Sequence, residues 1–179
     1  SLALYNLGRT LWVARPIPLP ARFVAIALLS LAATVTLGTI FSFAFAMPIG
    51  SGALRAIAAG GLPLHIVAGL GGWLTFAAIG VSYRLLAMFM LAPELEGARP
   101  RAVFWLGTGA LAAVILGGLL LLIRNAAILP ALSIGAALGF AALVLYGADI
   151  FYLYRARKRR VIDLNSQMAA FALISLAGS

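Results

Sequence analysis

Cysteine is absent from the 179 residues, which excludes disulfides, thiolate metal sites and cysteine nucleophiles and leaves the redox compartment open. Charge is also scarce. Only 9% of the chain is charged, against about 25% in a soluble domain whose surface must face water. Acidic residues number four against thirteen Lys and Arg, and the single histidine, His65, confines imidazole chemistry to one position. No phosphate-cradling glycine loop, serine–histidine–acid set or carboxylate pair with catalytic spacing is present, so hydrolysis is not expected. The formal charge of +9 does not point to nucleic acid, because that would need a soluble basic face with phosphate-tracking or base-stacking groups. The charges here fall at the ends of apolar runs, where membrane lipid headgroups are the expected counterions.

What the chain has in abundance is apolar length: 64% of it is hydrophobic. Four runs are long enough to cross a bilayer, whose ~30 Å hydrocarbon core needs roughly 20 helical residues. They lie near 23–47, 62–92, 102–123 and 127–154, and a fifth run, 164–179, reaches the last residue before a crossing is complete. The expected architecture is therefore all-α, a polytopic transmembrane helix bundle of four complete spans plus a truncated fifth. Helix is forced inside the membrane because lipid offers backbone polar groups no partner. No repeat or low-complexity tract divides the chain, so residues 1–179 are read as one domain. Ser1 and the flank Leu2 to Val13 do not resemble a cleaved export signal, and the chain is expected to be a segment of a longer one.

If the spans alternate in direction, Arg9, Arg15 and Arg22 share one side with Arg99 and Arg101 and with the cluster Arg155, Arg157, Lys158, Arg159 and Arg160. Only Arg55 and Arg124 fall opposite. The positive-inside rule makes the basic side cytoplasmic, which places loops 1–22, 93–101 and 155–163 inside, in an expected bacterial inner membrane. Pro16, Pro18 and Pro20 stiffen the approach to the first span, and Pro93 and Pro100 bracket the second cytoplasmic loop. On the outer side, Pro48 to Gly61 is expected to form a short interfacial helix between glycines.

The second span carries the most informative stretch. At helical spacing His65 shares a face with Gly69, Gly72, Phe76 and Gly80. Such a strip of small side chains either lets another helix approach closely or leaves room for a flat cofactor. A neutral imidazole beside it is a good axial ligand for haem iron; alternatively, it bonds water, headgroup or a neighbouring carbonyl at the interface. The stretch from His65 through Gly69, Gly72, Trp73 and Gly80-Val81-Ser82-Tyr83-Arg84 to Met88-Phe89 resembles a signature of membrane proteins distantly related to the haem-copper oxidase catalytic subunit, including those associated with nitric oxide metabolism. The resemblance implies haem ligation by His65, with Gly69, Gly72 and Trp73 at the cofactor, in electron transfer or in gas or cofactor handling. With no second histidine, and with Met168 approaching from the opposite side, another ligand would come from further chain or another subunit, or the iron would be five-coordinate. These residues do not provide the additional histidines of a copper centre.

Arg84 and Asp149 lie at matching depths, roughly 9 to 13 Å inside the basic ends of their helices at 1.5 Å per residue. They are expected to form a structural charge pair, because isolated charges at depth are expensive. The alternative is a proton or ion path using the hydroxyls of Tyr83, Tyr146 and Tyr152. Gly117-Gly118 and Gly135 with Gly139 are packing positions, whereas Trp12, Trp73, Trp105, Tyr152 and Tyr154 read as interfacial anchors. Thr34, Thr36, Thr75 and Thr108 are too few to define a transport route. Beside the haem expectation stands one of a different class, a non-catalytic structural or accessory subunit that packs with other subunits of a respiratory or photosynthetic membrane complex. Both require lipid around the chain. The protein is expected to remain with membranes in alkaline carbonate and to leave them only with detergent; a monodisperse species in plain buffer would contradict this.

Overall fold

The computed structural model describes residues 2–13, 16–47, 50–95 and 97–158, together with positions 167, 168, 171, 172, 174 and 175. The described residues form helices and no strands. In chain order these are α1 (Leu2–Val13), α2 (Leu19–Ala46), α3 (Gly52–Gly60), α4 (Leu62–Met90), α5 (Ala98–Ile123) and α6 (Leu129–Ala156). The helices α2, α4, α5 and α6 have 28, 29, 26 and 28 residues and are long and apolar enough to cross a membrane. At 1.5 Å per residue each runs to roughly 40 Å, beyond the ~30 Å hydrocarbon core. The expected fifth span falls outside the described residues apart from the six isolated positions.

Helices α2 and α5 start before the apolar runs expected at 23 and 102, and proline is used in first turns. Pro20 and Pro130 occupy the second positions of α2 and α6, and Pro100 lies in the first turn of α5. Backbone N–H groups there have no intrahelical acceptor, so proline loses nothing and its fixed φ is already helical. Two helices are closed at their carboxyl ends by left-handed residues, Leu91 (φ 49°) after α4 and Asn125 (φ 54°) after α5. In each case the following amide reaches back five residues, Ala92 to the Ala87 carbonyl at 3.0 Å and Ala126 to the Leu121 carbonyl at 2.8 Å, the bonding of a Schellman cap.

Packing is concentrated in two pairs, α2 with α4 and α5 with α6. The register shows that each pair is antiparallel: Gly69, Gly72 and Gly80 of α4 meet Thr34, Ser30 and Pro20 of α2, while Gly109 and Gly117 of α5 meet Leu138 and Ala131 of α6. Between the pairs, Phe23 packs its ring on Phe76, Tyr83 and Phe104 with centroids 5.6, 5.6 and 5.2 Å apart. This aromatic knot, completed by Ile150 and Leu153, is the main core. A smaller core of Leu37, Ile57, Leu64 and Val114 lies at the other end, covered by α3. Large apolar side chains such as Leu29, Leu70, Leu116 and Phe140 are exposed, as required of a bundle surrounded by hydrocarbon.

Both inner helices contain wide turns with π-type bonding, at Val67–Leu74 in α4 and Ala113–Gly117 in α5. In the first, the Leu70 carbonyl receives the Thr75 amide and also its hydroxyl at 2.8 Å, so the polar groups of the widened turn stay satisfied.

A β-carbon at Gly72 would collide with Ser30, whereas one at Gly147 meets nothing within 4 Å. Gly72→Leu is therefore expected to lower stability in detergent by roughly 1–3 kcal/mol through overpacking, and Gly147→Ala to leave it unchanged or raise it by about 0.5–1 kcal/mol. Thermal unfolding followed by circular dichroism distinguishes them; equal melting of Gly72→Leu and the parent would contradict the close contact.

Candidate functional site

His65 lies in the first turn of α4, and its half-buried ring is turned toward α2. Its edge meets the Phe41 ring at a centroid distance of 5.6 Å, and a β-carbon on Gly38 would be 3.3 Å from its Cε1. The Nδ1 atom is enclosed and has no hydrogen-bond partner. Further along the same strip, Gly69 rests on the Thr34 methyl and Gly72 on Ser30. A β-carbon at Gly80 would stand 2.7 Å from the Pro20 carbonyl oxygen and 2.9 Å from Phe23. Of the two uses open to a strip of small residues, close helix approach is the one realised here. The positions expected to wall a cofactor space, Gly69 and Gly72, are filled by α2, and Trp73 is half-buried against the main core. A flat group therefore has no room between α2 and the backbone at Gly69 and Gly72. Among the described residues, no three His, Asp or Glu side chains converge as a metal site.

The expected ion pair between Arg84 and Asp149 is not formed. Arg84 instead pairs with Glu94, with both side chains about two-thirds exposed. Asp149, 1% exposed, accepts a hydrogen bond from the Tyr83 hydroxyl at 2.9 Å on Oδ2, and its Oδ1 lies 3.5 Å from Nε of Arg99. The reason is rotational. Depth along two helices matches for many residue pairs, but neighbouring residues point about 100° apart around a helix axis, so Tyr83 faces α6 while Arg84 faces outward.

One turn away, Ser82 Oγ and Tyr146 Oη are 2.7 Å apart, and the Tyr83 and Tyr146 rings meet edge-on at 5.5 Å. Ser82, Tyr83, Arg99, Tyr146 and Asp149 thus form one polar cluster among three helices. Tyr152, the third hydroxyl of the expected path, is 46% exposed on the outside of α6. Arg99 escaped the sequence reading because it was assigned to a loop. The available signal was Pro100, which suits a first helical turn and would have moved the start of α5 back to the depth of Asp149.

A buried carboxylate needs donors to offset lost hydration. Here α4 supplies a hydroxyl and α5 a guanidinium, so the cluster joins the two helix pairs at the basic end. Toward the middle of the bundle, α4, α5 and α6 leave an apolar cleft of about 390 Å³ whose walls include Gly71, Gly107, Gly135, Ala136 and Gly139. Its one hydroxyl-bearing lining residue, Thr75, is bonded to the Leu70 carbonyl. The cleft therefore offers shape and dispersion rather than polar chemistry. Comparison with protein-family models, curated proteins and solved structures finds no match.

Tyr83→Phe leaves Asp149 short of a donor and is expected to lower the unfolding free energy by roughly 1–3 kcal/mol. Arg84→Gln breaks only an exposed pair and is expected to change it by less than about 1 kcal/mol. Denaturant titration in mixed micelles compares the two, and a larger loss from Arg84→Gln would show that the wrong residue had been assigned to the buried cluster.

Proposed function

We propose that the chain is a non-catalytic structural or accessory unit of a larger respiratory or photosynthetic membrane assembly. The observation that carries this reading is the apolar cleft between α4, α5 and α6, whose lining includes four glycines and three alanines among larger apolar side chains. Small residues allow a neighbouring helix or other apolar group to approach the backbone closely, and in lipid such packing is a main source of association. The disposition of polar groups supports the same reading: the His65 strip is taken up by α2, and Asp149 is closed off by Tyr83 and Arg99. With its basic residues gathered at one end, the bundle sits with that end in the cytoplasm, in a bacterial inner membrane, with lipids and other subunits around it.

A second reading is a haem-associated protein of haem-copper-oxidase-like type, in electron transfer or in gas or cofactor handling. The resemblance over residues 65–89 motivates it, and one observation favours it: an imidazole nitrogen of His65 is buried without a partner, an arrangement that costs about 1–3 kcal/mol when nothing satisfies the atom. On this reading the imidazole is the chain's contribution to the iron, and another axial ligand comes from elsewhere in the assembly.

Purification in mild detergent separates the two. The first reading expects stoichiometric co-purification with other membrane subunits, no Soret band assignable to this chain and no spectral change in His65→Ala. A pyridine haemochrome from the isolated chain that disappears in His65→Ala would overturn it in favour of the second.

A further inference from the structure

We propose that the basic end of the bundle holds the phosphate of an anionic lipid headgroup in a cavity lined by Arg22, Arg84 and Arg101. This cavity, about 390 Å³, is separate from the apolar cleft and falls within the roughly 300–1,000 Å³ typical of ligand sites. Three helices bring the arginines to one cavity. Arg22 lies in the first turn of α2, Arg101 in the first turn of α5 and Arg84 near the end of α4.

Their charges are unevenly matched. Among the described lining residues there are three guanidinium groups and one carboxylate, Glu94, which is taken by Arg84. Arg22 donates through Nε to the Ile17 carbonyl at 3.1 Å. Arg101 makes no ion pair or side-chain hydrogen bond with the described residues. Among the described residues two cationic forks are thus left without a carboxylate beside a concavity, and the guanidinium fork matches phosphate oxygens in geometry as well as charge. The amino-terminal ends of α2 and α5 carry neither an acidic first-turn residue nor a side-chain cap, so their partial positive charge adds to the same field.

Phosphate chemistry alone does not distinguish a lipid from the free ion, but the rest of the wall does. Ile17, Leu19, Leu95 and two prolines supply apolar lining beside Tyr83 and Gly97, at the ends of three helices long and apolar enough to cross a membrane. An apolar wall beside a cationic one at that level suits a molecule with acyl chains attached to its phosphate.

Native mass spectrometry of the full chain in detergent, titrated with phosphatidylglycerol or phosphatidylcholine of the same acyl chains, tests the proposal. Phosphatidylglycerol is expected to bind about ten-fold tighter, with the preference lost in Arg22→Gln/Arg101→Gln. Arg155→Gln/Arg157→Gln removes the same charge from the same end outside the cavity, and is expected to change binding by less than about two-fold. Equal loss in the two double variants, or no loss in the first, overturns the proposal, as does displacement of the lipid by millimolar inorganic phosphate. Because Arg101 has no partner within the described bundle, Arg101→Gln alone provides the test if the double variant fails to fold. It should weaken phosphatidylglycerol binding in the same direction, and an unchanged affinity would equally overturn the site.

Discussion

The approach of α2 to α4 is so close that neither Gly72 nor Gly80 has space for a β-carbon. In hydrocarbon there is no hydrophobic gain from bringing two apolar helices together, so their association depends on contact between surfaces that fit. Much else follows from that fit. It places Phe23 among Phe76, Tyr83 and Phe104, it presses the His65 ring onto Gly38, and it brings the start of α2 alongside the end of α4. The arginine-lined cavity and the aromatic core are consequences of one helix contact seen at two depths.

The second pair repeats the device with a different result. Gly135 of α6 lies against Val114 and the Ala110 carbonyl, so α5 and α6 also meet closely. Gly135 also lines the cleft between the pairs, together with Gly107, Gly139 and Gly71 of α4. The wide turns of α4 and α5 touch each other at the junction. A π-type turn adds a residue to the helical circuit, yet Gly72 and Gly80 stay on the strip that faces α2. On α4, His65 and Gly69 turn to α2, whereas the Tyr83 hydroxyl reaches α6 while its ring still contacts Phe23.

The four long helices were legible in the sequence because hydropathy accumulates over some twenty residues and a few misassigned positions do not change the sum. The starts of α2 and α5 were less so, since Pro20 and Pro100 read as loop residues when considered singly and as first-turn residues only with the helix in view. The short helix α3 was also legible, from its alanines between glycines. Depth could be counted along the chain, and Arg84 and Asp149 do lie near the same end. Azimuth could not, because it depends on which helix packs where and on wide turns that no periodicity reveals. The pairing therefore passed to Tyr83 and Arg99. The glycine strip shows the same limit: spacing identifies a smooth face, but only the position of α2 determines what fills it.

The end of α4 shows how these constraints combine. Leu91 is left-handed, a conformation that bulky residues avoid and that costs on the order of 1 kcal/mol or more. Asparagine, as at position 125, adopts it more readily. The strain at Leu91 is sustained because the surroundings overdetermine it. Its cap bonds turn the chain toward α5, where Gly97 at φ 129° allows the helix to begin at Ala98 and sets Arg99 beside Asp149. From the other direction, the Lys158 amide donates to the Met90 carbonyl at 3.2 Å, so the exit of α6 is fastened to the same helix end. The close packing of α5 on α6 keeps the Arg99 guanidinium beside the buried carboxylate of Asp149, while the Leu91 turn and the Lys158 bond fix how α4 and the exit of α6 meet at that same end.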